Sequence, residues 1–237
     1  MDVNGFVIEP RANLAGVDLT DAILVGADLT GADLVGAILT GADLTRARLT
    51  GANLNGAYIN GAILAGANFV EADMSGADLH GADLTRANLT GANLTGADLP
   101  RALLTGANLH GANLHGANLT WAIFTGAYLD GAVLAEANLT GADMTRAILT
   151  GADLHGANVH GTILTRAILT GADLTGADLT GADLTGADLR ETNLTGADLA
   201  RANLTGAELN GAILTGIILT GADLTGVKGY NSIASDG

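Results

Sequence analysis

Ala172-Asp173-Leu174-Thr175-Gly176-Ala177-Asp178-Leu179-Thr180-Gly181 is two cycles of one five-residue beat, and that beat runs through almost the whole chain. From Leu14 to Leu224 a large apolar residue occupies every fifth position, 43 times in succession. Leucine fills 37 of these centres, and Ile59, Phe69, Met74, Phe124, Met144 and Val159 fill the others. Alanine stands two residues before the centre in 39 of the pentads. An amphipathic helix repeats near 3.6 residues and a half-buried strand every 2, so a beat of five excludes both as long continuous elements. Short repeats without insertions describe a solenoid, in which each unit buries its apolar residues only against the neighbouring coils.

The quoted decapeptide resembles the defining motif of the pentapeptide-repeat family, and the resemblance extends over about nine tenths of the 237 residues. It implies an all-β fold, a right-handed quadrilateral β-helix with four pentads per coil. The centre and the residue two before it would point inward. Leu and Ala supply those large and small inward residues here, while Asp, Asn, Thr, Gly and Arg take the outward places. A corner every five residues favours glycine, which has no Cβ to oppose the turn. At ~4.8 Å between coils, about eleven coils make a rod roughly 50 Å long.

The ends leave the beat and set the expected boundaries. Residues 1–11 read as an N-terminal cap, with Phe6 and Ile8 placed to cover the first coil. Residues 12–226 read as the β-helix, and residues 227–237 as a C-terminal tail with no amphipathic helix to seal the last coil. An open solenoid end is a pairing edge. Ile213, Ile217 and Ile218 lie in the final coils, so a homodimer through the C-terminal end is expected. No cysteine is present, which removes disulfides, thiolate chemistry and zinc-thiolate sites. Asp and Asn interrupt the apolar residues too often for a membrane helix, and no export signal opens the chain, so the cytoplasm is the expected compartment.

The net charge is -15, and 17 of the 25 acidic residues stand immediately before a centre. They project outward, and Asp173, Asp178, Asp183 and Asp188 ring one coil. Such rows of charge on a narrow rod resemble the phosphates of duplex DNA. Quinolone-resistance members of the family are understood to bind DNA gyrase in that way, so the resemblance makes gyrase or topoisomerase an alternative partner. The plainer reading is that Asp and Asn solvate the rod and cap its turns. Direct nucleic-acid binding is disfavoured, because an acidic surface repels phosphate.

Positions twenty apart should share a face. Arg46, Arg86, Arg146 and Arg166 then align in the glycine slot. Five of the six arginines in that slot from Arg46 onward have a carboxylate three residues earlier, which favours surface ion pairs over a basic binding patch. Ile23, Ile63, Leu103, Ile123 and Ile163 share another column where Asp or Asn is usual. Tyr58 sits near Ile63, and Tyr128, Ile148 and Ile168 near Ile123 and Ile163. Contiguous exposed apolar surface marks an interface, so these residues form the candidate surface for a protein partner or for self-association. Trp121, in a glycine slot, is a further contact candidate, with packing over Ile123 as its structural alternative. A threonine column from Thr85 to Thr225 resembles an ice-binding ladder, a remote reading because Asp83, Asp143, Asp183 and the arginines interrupt it.

Catalytic constellations are not recognisable. His80, His110, His115, His155 and His160 all occupy the outward threonine slot, and His115 and His155 are two coils apart, roughly 10 Å, too far for one metal. Ser75, Ser232 and Ser235 have no base beside them, and the glycines follow the beat without a phosphate-binding lysine. No enzyme, metal or cofactor is expected. The sequence reads as a non-catalytic interaction rod.

Overall fold

The computed structural model describes residues 2–229. The chain enters through an antiparallel pair, β1 (Asp2–Val3) and β2 (Phe6–Val7), with Asp2 opposite Val7 and Val3 opposite Phe6. From Asn13 onward the residue before each centre pairs in parallel with the residue twenty positions later, from Asn13 with Asp33 to Glu208 with Lys228. Twenty residues, or four pentads, therefore make one coil. The molecule is an all-β solenoid whose sheets consist of single-residue bridges. Long strands do not develop because a turn consumes two residues of every five.

One pentad accounts for all its backbone donors. Ala172 N–H donates to Leu169 O across the turn, Asp173 N–H to Ala152 O one coil back, and Leu174 and Gly176 N–H to Asn193 O and Thr195 O one coil on, at 2.8–2.9 Å. The fifth donor, Thr175 N–H, is taken by the Asp173 side chain at 2.9 Å. Asp or Asn before the centre is thus a turn-capping residue, accepting from the backbone two positions later. At many of these turns a threonine hydroxyl donates to the same oxygen, as Thr175 Oγ1 does to Asp173.

The core is a single stack of centres and alanines, almost all without solvent exposure. Two alanine positions hold Thr162 and Thr192, and both are fully buried. Their hydroxyls donate to Leu139 O at 2.7 Å and Leu189 O at 2.6 Å, so neither polar group is stranded.

The last residue of each pentad adopts a left-handed backbone, and twelve such corners, from Arg11 to Arg201, carry a side chain. A Cβ in that conformation costs about 1 kcal/mol relative to glycine. Side chains at these corners lean toward the following coil. Trp121 shows the effect most fully: a Cβ on Gly141, itself at φ 67°, would lie 2.6 Å from the Trp121 ring. The indole therefore lies over Gly141, twenty residues on.

At the N-terminus Ile8 is buried and Val3 packs on the core, whereas Phe6 and Val7 remain exposed. Phe6 does not cover the first coil, because the β1–β2 hairpin turns it outward. At the other end Leu214, Ile217, Leu219 and Leu224 are only partly buried, since no later described coil covers them. Part of the expected tail, Tyr230 to Gly237, lies outside the described residues.

Candidate interaction surface

Four outward columns run along the rod, each formed by the residues that precede the centres. The column through Ile23 continues with Asp43, Ile63, Asp83, Leu103, Ile123, Asp143, Ile163 and Asp183. The expected aliphatic column is therefore interrupted, because Asp43, Asp83 and Asp143 alternate with its apolar members. Only Leu103 and Ile123 are direct neighbours. Ile23 is 71% exposed, Ile63, Leu103 and Ile163 are also exposed, and Ile123 is half-buried.

The next column carries the longer apolar run. Tyr128 bridges to Ile148 and Ile148 to Ile168, three coils without a polar break. Tyr128 and Ile168 are exposed and Ile148 is half-buried. Ile123 and Ile163 stand one corner away on the adjoining side. Tyr58 is exposed on a third side, bridged to Ile38 and one corner from Ile63.

Such residues give up the turn cap. The N–H groups of Thr105, Thr125, Thr150, Thr165 and Thr170 find no acceptor among the described residues, whereas the same group in Thr175 is capped by Asp173. A lost exposed hydrogen bond of this kind is worth about 1 kcal/mol. Apolar residues at these positions are consequently not cost-free variants of the beat.

Between Asn88 and Tyr128 the same side holds a surface hollow of about 480 Å³, lined by Arg86, Asn88, Asn108, His110, Tyr128 and Asp130. Asn88 Oδ1 accepts from Thr90 N–H and hydroxyl, and Asn108 Oδ1 accepts from His110 N–H. Neither amide nitrogen has an acceptor among the described residues, so both remain available as donors. His110 and Asp130 pair across its rim.

The expected ion pairs of the corner arginines do not form among the described residues. Ion pairs join Arg48 to Asp28 at 3.3 Å, Arg190 to Asp188 at 2.5 Å and Lys228 to Glu208 at 2.8 Å, none of them at a corner. Two geometric facts explain this. Asp43, Asp83 and Asp143 turn toward the N–H groups of Thr45, Thr85 and Thr145 at 2.9 Å. Meanwhile Arg46, Arg86 and Arg166 lean along the axis, their Cγ atoms 3.6–3.7 Å from the Cβ positions of Gly66, Gly106 and Gly186. Arg86, Arg146 and Arg166 are exposed and without a carboxylate partner.

In the acidic ring Asp173, Asp178, Asp183 and Asp188 are all half-exposed. Thr175, Thr180 and Thr185 donate to the first three at 2.5–2.6 Å through their hydroxyls, while Arg190 holds Asp188. Burial works to raise the Asp183 carboxyl, but donors from Thr185 and Thr165 outweigh it and hold the group below the usual carboxylate range. The five histidines are exposed, and no three His, Asp or Glu side chains among the described residues are grouped to hold a metal. Trp121 is 61% exposed. Ile213 and Ile218 are exposed on the final coils, where N–H groups of Leu214, Leu219 and Leu224 have no acceptor among the described residues.

A backbone that repeats every five residues and coils every twenty, with most of its variation in outward positions, defines a short-repeat β-solenoid. The chain belongs to the pentapeptide repeat family, whose profile matches residues 12–51, 52–91, 87–126, 127–166, 164–196 and 187–226. It is 38% identical to HetL, a pentapeptide repeat protein involved in heterocyst differentiation regulation in the cyanobacterium Nostoc sp. strain PCC 7120. That match covers 87% of this chain and 91% of HetL, with a TM-score of 0.58. A thylakoid-lumen pentapeptide repeat protein of Arabidopsis thaliana is 35% identical, over 42% of this chain and 62% of its own, with a TM-score of 0.24. Full-length QnrB1, a plasmid-mediated fluoroquinolone resistance protein, is 24% identical over 78% of this chain and 90% of its own, with a TM-score of 0.31. No protein of curated function matches significantly. Among the described residues no helix is long and apolar enough to cross a membrane.

Proposed function

We propose that the chain is a non-catalytic interaction rod, presenting its mid-length apolar residues to a protein partner or to another copy of itself. The carrying observation is the run Tyr128, Ile148 and Ile168, flanked by Leu103, Ile123 and Ile163, on positions where the fold would gain a turn cap from Asp or Asn. Trp121 lies near one corner of this region and belongs to the same surface. HetL's involvement in a regulatory process fits a role in binding, without indicating which partner. Replacing Ile123 and Ile163 together by Asp restores two turn caps, so the rod should stay folded and lose self-association or partner capture. Unchanged association in light scattering and unchanged capture would refute the reading.

The finer description of the rod belongs to the same proposal: a right-handed, four-sided coil of about eleven turns over residues 12–226, capped by residues 1–11, in the cytoplasm. The exposed Ile213 and Ile218, with Ile217 beneath them on the final described coils, support tail-to-tail dimerisation. A monomeric mass at micromolar concentration would remove that part. The half-exposed carboxylates of Asp173, Asp178, Asp183 and Asp188 on all four sides support a second reading, an acidic DNA mimic directed at gyrase. A supercoiling assay separates the two: inhibition near equimolar dose supports mimicry, and no effect leaves the interaction rod.

A further inference from the structure

The side of the rod that carries Tyr128, Ile148 and Ile168 differs electrostatically from the rest of this acidic molecule. Along its outward column from Asn68 to Ile168 there is no carboxylate: the sequence of side chains is Asn, Asn, Asn, Tyr, Ile, Ile. One bordering corner carries Arg86, Arg146 and Arg166, all exposed and without a carboxylate partner among the described residues. On the opposite corner Asp130 is engaged by His110, and Glu71 leans over Gly91 at the Asn68 end, so the positive character is confined to the arginine corner. The two asparagines flooring the hollow offer amide donors, because their oxygens are already committed to the turns. Donors and an unpaired guanidinium at one end therefore adjoin an apolar run at the other, with Tyr128 belonging to both.

We infer that this side binds an extended peptide of a partner protein, with a carboxylate over Arg86, Asn88 and Asn108 and apolar side chains over Tyr128, Ile148 and Ile168. The inference rests on the interaction-rod reading and adds the chemistry of the partner. Asn88 to Ile168 is four coil steps, roughly 19 Å at ~4.8 Å per step, which an extended peptide spans in about six residues. The carboxylate is specified by what faces it. An Arg fork and amide N–H groups donate to an oxyanion, and the carboxylate that also lines the hollow, Asp130, is already paired with His110. Arg146 and Arg166 extend that preference along the apolar run, so acidic residues flanking the apolar ones are also accommodated. A basic peptide would instead meet three arginines.

The experiment is selection of a random dodecapeptide library, displayed on phage, against the immobilised full chain. Enriched peptides should carry Asp or Glu within about three residues of at least two large apolar residues. Their binding should fall tenfold or more on the triple variant R86G/R146G/R166G and, independently, on Ile148→Asp. Glycine is the residue these corners ordinarily hold and Asp the residue that caps the turn, so both variants keep the fold. A melting curve checks this. No enrichment, basic winners, or equal binding to the triple variant overturns the inference. Winners without carboxylates that still lose binding on Ile148→Asp overturn the charge assignment and leave the interaction rod standing. Failure of Ile148→Asp and of the Ile123 and Ile163 replacements alike would remove both.

Discussion

Two stretches of the rod, residues 172–191 and residues 121–150, have the same backbone and different surfaces. In the first, Asp173, Asp178, Asp183 and Asp188 precede all four centres, and Asp173, Asp178 and Asp183 each accept from the threonine two residues later. In the second, Ile123, Tyr128, Val133 and Ile148 stand in equivalent places beside only Asn138 and Asp143, and Trp121 occupies a corner. Their inter-coil hydrogen bonds are nevertheless alike, 2.8 Å from Leu174 N–H and 2.7 Å from Leu129 N–H. The inward residues and the backbone thus carry the fold unaided, and the outward residues adjust its stability by small amounts. Regular coils are architecture; irregular coils have traded some of that stability for surface chemistry.

The largest effect should be the same in both stretches. Leu179→Ala and Leu129→Ala, each at a fully buried centre, are expected to cost about 3 kcal/mol apiece in denaturant unfolding. A much smaller cost in the irregular stretch would break the claim of a common core. Next comes Gly141→Ala, whose Cβ meets the Trp121 ring and whose φ is left-handed, at a cost of about 1–3 kcal/mol. The double variant with Trp121→Gly should recover most of the steric part, and an additive result would show that the indole does not lie on Gly141.

The surface residues should then respond with opposite signs. Asp178→Ala removes a turn cap and should lower stability by about 1 kcal/mol, whereas Ile148→Asp supplies one and should leave stability equal or higher. Equal losses would mean that the apolar residues at these positions contribute to folding. A smaller, collective effect concerns pH. The Thr45 hydroxyl and backbone hold the Asp43 carboxyl below its usual range, and Thr20 and Thr30 do the same for Asp18 and Asp28. A depressed folded-state value contributes stability above the unfolded value near ~4, lost as pH falls through the lower folded value. Melting temperature should therefore decline below pH ~4. Replacing those aspartates by Asn, which keeps the acceptor but has no titrating group, should flatten the decline.

The solenoid was legible in the repeat itself, because an apolar centre at every fifth position fits neither a long helix nor a long strand, and the resemblance to the pentapeptide-repeat motif supplied the β-helix. The surface was less legible. Alignment by twenties located Arg86 and Asp83 correctly, yet proximity in sequence suggested a pair that does not form among the described residues. Asp83 bends back to Thr85, while Arg86 leans along the axis over Gly106. The column from Ile23 to Ile163 was identified by its apolar members, and its intervening aspartates became consequential only when bridged beside them. Trp121 followed the same rule as the arginines, toward the next coil, and no pattern in one pentad announces that direction.

The pairing of each residue with its counterpart twenty positions away also couples chain length to orientation. Removal of a complete coil would shorten the rod and bring the same columns back into line. Removal of a single pentad would leave the buried stack intact and turn everything beyond it by a quarter of a coil, so that Arg86 and Ile168 no longer shared a side. Rods of this kind can thus lengthen and shorten freely only in steps of four pentads. A lesser step acts as a gear change, delivering an unaltered set of residues to a different neighbour.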